Sequence, residues 1–323
     1  MTTPKEATQE LRALVYRSED RAEWDRFVCS SKNGVFLFCR DYMEYHSHRF
    51  TDHSLMFYNN SNNKLVALLP ASLEGSTLCS HGGLTFGGVI SAYDMKTPLM
   101  LQVFDAISAH CHNQGITEVV YKPTPYIYHS IPAQEDLYAL FTYSAYLAVR
   151  NVSSAIYLPH AKGFDASRKD NLRKAKKNNL TVRQSDDFNL FMQIEEEVLI
   201  ERHGVKPVHS SEEIKLLAER FPDNVKLFAS FKDEVMLAGV VMYESSNVAH
   251  MQYAANSKAG RNIGAQDIIE DYLIKEYYRE DKRYFDFGIS TEKQGTLLNV
   301  GLIKRKENFG ASAIVYDTYK ITL

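Results

Sequence analysis

The order in which strand-like and helix-like stretches follow one another constrains this chain more than any single motif. From Leu11 to Tyr16 it reads as a strand, then as a helix opened by "SEDRAEW" with Ser18 as cap, then as a second helix around "CRDYMEYH". The strands "SLMFYNN" and "KLVALLPASL" follow across the Asn/Ser turn "NNSNN". Next come a strand in "GGLTFGGVIS", a helix "TPLMLQVFDAISAHCHNQG", a strand "TEVVYK", a helix "QEDLYALFTYSAYL" and a strand near "VSSAIYL". After a basic helix, "SRKDNLRKAKKNN", the order returns: strand "LTVRQ", two helices, strands "NVKLFASF", "EVMLAGVVMYE" and "NVAHMQYAAN", helix "NIGAQDIIEDYLIKEYY", strand "YFDFG", helix "TLLNVGLIKRKENFG" and strand "SAIVYDTYKI". The order βααβββαβαβ thus occurs twice. It predicts a mixed α/β protein of two like units, 1–160 and 161–323, joined across residues 157–164.

Composition fits two folded domains: 323 residues, 45% hydrophobic and 24% charged. A formal charge of −3 advertises no DNA partner, and the apolar runs are strand-length, so no membrane insertion is expected. The opening residues are polar with no signal-like apolar core, which predicts a cytoplasmic protein, monomeric or dimeric. Cys29, Cys39, Cys79 and Cys111 form no C-x-x-C pair and read as reduced, packed thiols. The clusters "HSH" (46–48) and "HCH" (110–112) place alternate residues on different helix faces, so no metal site is expected.

The duplicated order resembles the GNAT acyltransferase fold, and its duplication resembles the tandem-GNAT proteins related to the FemAB and FemX peptidyltransferases. "SRKDNLRKAKKNN", "ERHGVKP" and "DFGISTEKQGTLLNVGLIKRKENFGA" carry the likeness in the second half, "SHGGLTFGGVI" and "YKPTPYIYHSIPAQEDLYALF" in the first. The resemblance implies a mixed central sheet flanked by helices in each unit, with two strands that splay to admit an acyl donor. It implies transfer from an acyl-CoA or acyl-carrier donor to an amine or hydroxyl of a small or carrier-linked acceptor, N-acylation foremost. Two alternatives stand beside it: a FemAB-type transfer from aminoacyl-tRNA to a cell-wall precursor, and a ligand-binding module without turnover.

On that resemblance "YFDFG" flanks the gap and "ISTEKQG" lies at its mouth. Asp286 is then a base or positioner, and Ser290 and Thr291 orient the donor or leaving group; as caps of the following turn, Asp286 and Ser290 have a purely structural reading. Strand "HMQYAAN" offers Gln252 and Tyr253 to the donor groove. The loop "NSKAGRNIGAQD" stands where the family wraps a coenzyme A diphosphate against a helix N-terminus, which brings in Gly260, Arg261 and Gly264. Ala259 and Asn262 depart from the family's signature there, and only Gly264 matches it. A Tyr on the last helix, used by many GNAT enzymes to protonate the leaving thiolate, is missing.

Three further groups complete the expectation. Glu201 and His203 in "IERHG" form a general-base pair or a plain helix C-terminus. Arg168, Arg173, Lys174 and Lys177 on the basic helix bind phosphates of an acceptor or tRNA, or form a solvated face. Tyr128 and His129 in "YIYHSIP" wall an extended acceptor or pack into the core.

Overall fold

The structure, a computed structural model, describes residues 11–204 and 207–323; the side chains of Arg202 and His203 also lie outside the described set. The chain divides into two compact units. Unit 1 is Met1–Arg150 together with Tyr316–Leu323, and unit 2 is Asn151–Val315. The division falls inside a strand, at 150/151, and not in a loop near 160/161, because the strand is longer than its apolar core "VSSAIYL".

The described elements of the first half are β1 (Leu11–Val15), α1 (Arg21–Ser30), α2 (Arg40–Met43), β2 (Thr51–Asp52), β3 (Leu55–Asn59), β4 (Leu65–Leu69), β5 (Ser72–Glu74), β6 (Thr77–Cys79), β7 (Ile90–Ser91), α3 (Thr97–Asn113), β8 (Glu118–Tyr121), α4 (Glu135–Thr142) and β9 (Tyr146–Tyr157). The second half has α5 (Ala166–Lys177), β10 (Thr181–Ser185), α6 (Phe188–His203), α7 (Ser211–Arg220), β11 (Val225–Lys232), β12 (Val235–Glu244), β13 (Val248–Asn256), α8 (Lys258–Arg261), α9 (Ala265–Tyr272), β14 (Tyr284–Ile289), β15 (Thr291–Glu292), β16 (Leu297–Leu298), α10 (Val300–Glu307) and β17 (Ser312–Thr322).

Unit 1 is more broken than its sequence pattern implied. Its four-stranded sheet runs β1-β3-β4-β7, and a second set runs β2-β5-β6-β8, with residues 319–322 of β17 pairing antiparallel to β8. The stretch "KLVALLPASL" splits into β4 and β5 because Pro70 has no N–H to give a ladder. Phe57, Phe104, Ile107, Tyr121 and Ile321 share one buried core.

Unit 2 keeps the expected order, with β15 and β16 added. Its sheet runs β10-β11-β12-β13-β14, followed by residues 153–157 of β9; all pairs are antiparallel except β13 with β14. That parallel pair needs a crossover, which α8 and α9 supply. On one face Ala238, Val240 and Met242 of β12 pack with Leu172 and Ala175 of α5 and Ile269 and Leu273 of α9. On the other, the Phe191 ring of α6 fills the space over Gly239, where a Cβ would sit 3.0 Å from its Cε2. The basic helix α5 thus buries only Leu172 and Ala175 and is capped by Asp165, whose carboxylate accepts from Arg168 N.

A candidate active site where two strands part

β13 and β14 are paired for three residues only, Val248–His250 against Tyr284–Asp286, yet β13 runs on to Asn256 and β14 to Ile289. Beyond the His250/Asp286 rung their facing backbone groups have no ladder partner in each other. Two irregularities drive the strands apart. In β13 the register to β12 shifts so that Gln252 bulges between Met251 and Tyr253, and in β14 the register to β9 shifts after Asp286 at Gly288, whose φ is +77°. Bulges of this kind sharpen local twist and re-aim side chains.

The last shared rung carries the chemistry. Asp286 is fully buried. Its Oδ2 lies 2.8 Å from His250 Nδ1, and its Oδ1 accepts from Ser153 Oγ at 2.6 Å and from Gly288 N at 3.1 Å. With Nδ1–H donated to the carboxylate, His250 presents Nε2 as the basic nitrogen, and that nitrogen bonds no described residue. Lys306, reaching in from α10, donates to the carbonyls of Gly288 and Ile289 at 2.8 Å each. Burial pushes its ammonium down to about 8, with Asp286 pulling the other way.

Ser290 stands next in the chain. Its backbone N–H donates to Val152 O and its Oγ is buried without a hydrogen-bond partner among the described residues. Thr291 Oγ1 donates to Asn151 Oδ1 and accepts from Val152 N, so it ties the loop to β9. The loop is a small hairpin, β15 with β16, and the helix starts at Val300 behind an Asn299 cap, later than the expected Thr296.

Gln252 lies at the bulge beside the gap. Tyr253 hydrogen-bonds His209, and burial pushes its hydroxyl up to about 12. On α6, behind Tyr253, Glu195 is buried with no ion pair to a described residue, and its carboxyl is pushed up to about 7 by desolvation. Glu201 is exposed and paired with Arg261 at 3.2 Å, away from the His250 rung; the side chain of His203 lies outside the described residues.

The turn before α9 is closed. A Cβ on Gly264 would collide with the Asn171 carbonyl of α5, and one on Gly260 would sit 2.8 Å from Leu237 O. Asp267 in the first turn of α9 is buried and accepts from Arg168 at 2.7 Å and Asn171 at 3.2 Å. A carboxylate and a carbonyl occupy the place where a diphosphate would need donors, so these residues do not fit coenzyme A as the family signature would hold it. Arg168 is therefore committed to Asp267. Among the described residues Arg173 pairs with Asp170 on its own helix, and Lys174 and Lys177 are exposed.

In unit 1, Tyr128 is buried, its hydroxyl 3.1 Å from that of Tyr316, and His129 Nε2 lies 2.9 Å from Thr124 O. Both fill the unit 1 core, whereas Tyr126 and Phe141 are exposed. His110 meets His53, Nε2 to Nε2 at 2.9 Å, and not His112. Among the described residues no three His, Cys, Asp or Glu side chains converge on a metal position, and no helix is long and apolar enough to cross a membrane.

His250 and Lys306 were missed by the sequence reading. Their signals were present: His250 alternates with Gln252 on β13, and Ile303 and Lys306 recur three residues apart as the buried residues of α10. Without the register of a parallel pair, nothing linked His250 to Asp286.

Residues 166–294 match the acetyltransferase (GNAT) domain family. Unit 2 is thus built on a GNAT acyltransferase domain. The chain as a whole has a Fem-like tandem-GNAT fold: it superposes on the crystal structure of FemX with a TM-score of 0.69 at 11% identity, covering 97% of each chain. It superposes on L-PGS from Bacillus licheniformis with a TM-score of 0.61 at 12% identity, covering 95% of this chain and 92% of that one. A search among curated proteins finds no match.

Proposed function

We propose that unit 2 transfers an acyl group to an amine or hydroxyl of an acceptor, with the donor carbonyl lodged where β13 and β14 part. The observation that carries this reading is the His250–Asp286 pair on the last rung before the gap. His250 Nε2 takes the proton as the acceptor attacks the acyl carbon, and the imidazolium is stabilised by Asp286, itself held by Ser153 and Gly288 N. As the tetrahedral intermediate collapses, the bond to the carrier breaks and His250 returns the proton to the leaving group. The Lys306 ammonium supplies positive charge beside the developing oxyanion. An amine acceptor, the N-acyl case, attacks as the neutral amine, and the proton His250 takes is the one its nitrogen sheds on bonding to the acyl carbon.

For the donor, the closed turn at Gly264 and Asp267 speaks against a coenzyme A thioester anchored at α9, which leaves the acyl carrier of the first reading and the aminoacyl-tRNA of the alternative. Single-turnover transfer with acetyl-CoA, longer acyl-CoAs, acyl carrier protein and aminoacyl-tRNA, preceded by thermal-shift screening of the same set, tests both parts. Transfer that His250→Ala abolishes supports the reading. Transfer at wild-type rate in that variant, or ligand binding with no turnover of any donor, overturns it in favour of a different centre or a binding module.

A further inference from the structure

Beyond the His250 rung, β13 carries a second group of polar side chains on the same face of the sheet. His250 stands opposite Tyr243 of β12, and Tyr253 opposite Val241, two residues further along. The extra residue at Gln252 therefore turns Tyr253 onto the His250 face, about 7 Å away at the rise of an antiparallel strand. Two residues beyond Val241, Gly239 lies under the Phe191 ring of α6 on that face. Glu195 follows Phe191 by four residues, one turn and about 6 Å of helix, which carries it to the level of Tyr253. The Tyr253 hydroxyl accordingly feels its charge.

Glu195 is only 7% exposed and has no hydrogen bond or ion pair to a described residue. The titratable groups around it are already engaged. Tyr253 hydrogen-bonds His209, whose ring stands perpendicular to its own with centroids 5.7 Å apart. Glu213, which also faces the Tyr253 hydroxyl, accepts from Ser210 N at 2.9 Å at the start of α7, and His250 Nδ1 is held by Asp286. A carboxylate withdrawn from water without a counter-ion is costly, and burial pushes the Glu195 carboxyl up to about 7. A cation arriving beside it removes that cost, and the half-buried Tyr253 ring adds an aromatic face to which cations are drawn.

We infer that Glu195 and Tyr253 form a cation subsite for the acceptor, which makes the preferred acceptor a diamine: one nitrogen attacks at His250 while the other rests as an ammonium against Glu195. The span of about 7 Å between the two positions corresponds to about four to five carbons between the nitrogens. A free diamine and a basic amino acid with a free α-amine both offer that pair. The role given to the subsite rests on the transfer reading of the His250 centre, but binding needs no turnover, so the two fail separately.

Calorimetry on the full chain compares 1,4-diaminobutane, 1,5-diaminopentane, L-ornithine, butylamine and 4-aminobutyrate, with melting temperature as the folding control. The diamines should bind about ten-fold or more tighter than butylamine, with 4-aminobutyrate weakest, and Glu195→Gln should erase the difference. Tyr253→Leu should weaken diamine binding, and Tyr253→Phe should not. At about pH 6.5 a bound diamine should drive a proton from Glu195 to the buffer, read as a heat that changes with the buffer's ionisation enthalpy and is missing in Glu195→Gln. A Glu195 that merely supports the fold would give neither signal. L-Ornithine bound as tightly as 1,4-diaminobutane extends the class to basic amino acids; weaker binding confines it to free diamines. The inference is overturned if the wild type binds none of the probes, binds diamines no more tightly than butylamine, or keeps its preference in Glu195→Gln. If His250→Ala transfers at the wild-type rate while diamine binding still depends on Glu195, the transfer reading falls and the subsite stands.

Discussion

His250 and Asp286 face each other across the last paired rung of β13 and β14, 2.8 Å apart from Nδ1 to Oδ2, and immediately beyond them the strands separate. A proton-accepting group is thereby fixed to the edge of an opening by the register that ends there. His250→Ala should lower single-turnover transfer by about 10²-fold or more, the range for a positioned general base, with little change in melting temperature. Asp286→Asn should lower the rate comparably and also destabilise the fold by about 1–3 kcal/mol, because Ser153 and Gly288 N lose a charged acceptor. Ser290→Ala should do neither, since its Oγ has no hydrogen-bond partner among the described residues to lose. A rate at wild-type level in His250→Ala would remove the pair from the mechanism.

Lys306 makes stability depend on pH. Its folded-state value, about 8, lies below the ordinary 10.5 of an unfolded lysine, so between these values the unfolded chain binds more protons than the folded one. Its contribution to stability is therefore least favourable below about pH 8 and improves as pH rises toward 10.5. Lys122 in unit 1 is likewise held at about 8, and taking the difference between wild type and Lys306→Met cancels it. Chemical denaturation of both proteins from pH 7 to pH 10 should show the wild type gaining on the variant; a flat difference would mean that Lys306 titrates normally.

Glu195 behaves with the opposite sign. A carboxyl held at about 7 when folded and near 4.5 when unfolded binds its proton more tightly in the folded chain, so its contribution falls as pH rises from 4.5 to 7. Glu195→Gln should match the wild type near pH 4.5 and exceed its stability by roughly 1–3 kcal/mol at pH 8. Equal stability across that range would reveal a cationic neighbour holding the carboxylate.

Gly264 should tolerate no side chain. Its φ of +76° disfavours other residues, and a Cβ would run into the Asn171 carbonyl. Gly264→Ala should cost about 2–4 kcal/mol in urea unfolding, from left-handed strain and overpacking together. If the glycine served only a bound diphosphate, stability would stay unchanged and donor affinity alone would drop.

Much of unit 2 was legible because its elements are long and strongly periodic: the alternating aromatics of "YFDFG", the glycine ending it, and the Asp-Glu turn between β11 and β12, where both residues take positive φ. Asp286 could be singled out from that pattern. Its partner could not, since a parallel pairing across a crossover leaves no trace in local sequence. The stretch from Thr296 was read as helix because Leu297 and Leu298 look apolar-periodic, yet a two-residue strand such as β16 has no period to read. In unit 1 the same weakness hid β2 and β6, and the strand expected in "GGLTFGGVIS" is present only as the two residues of β7. The glycine-rich loop hides a contact of another kind: Gly264 is demanded by the approach of α5, and a contact between helices is invisible in the residues that flank it.

Unit 1 includes Tyr316–Leu323, and residues 319–322 of that segment complete the ladder beside β8 with Ile321 in the core. Those residues leave the ribosome only after all of unit 2 has been made. Domains usually fold in order of synthesis, N-terminal first. Here the earlier half must wait, with the edge of β8 uncovered, until the later half has been translated, so a chain stopped at Val315 would carry a complete unit 2 tethered to an unfinished neighbour. Early termination and pausing would expose a sticky strand edge, and the nascent chain would call on chaperones for longer than its length alone implies.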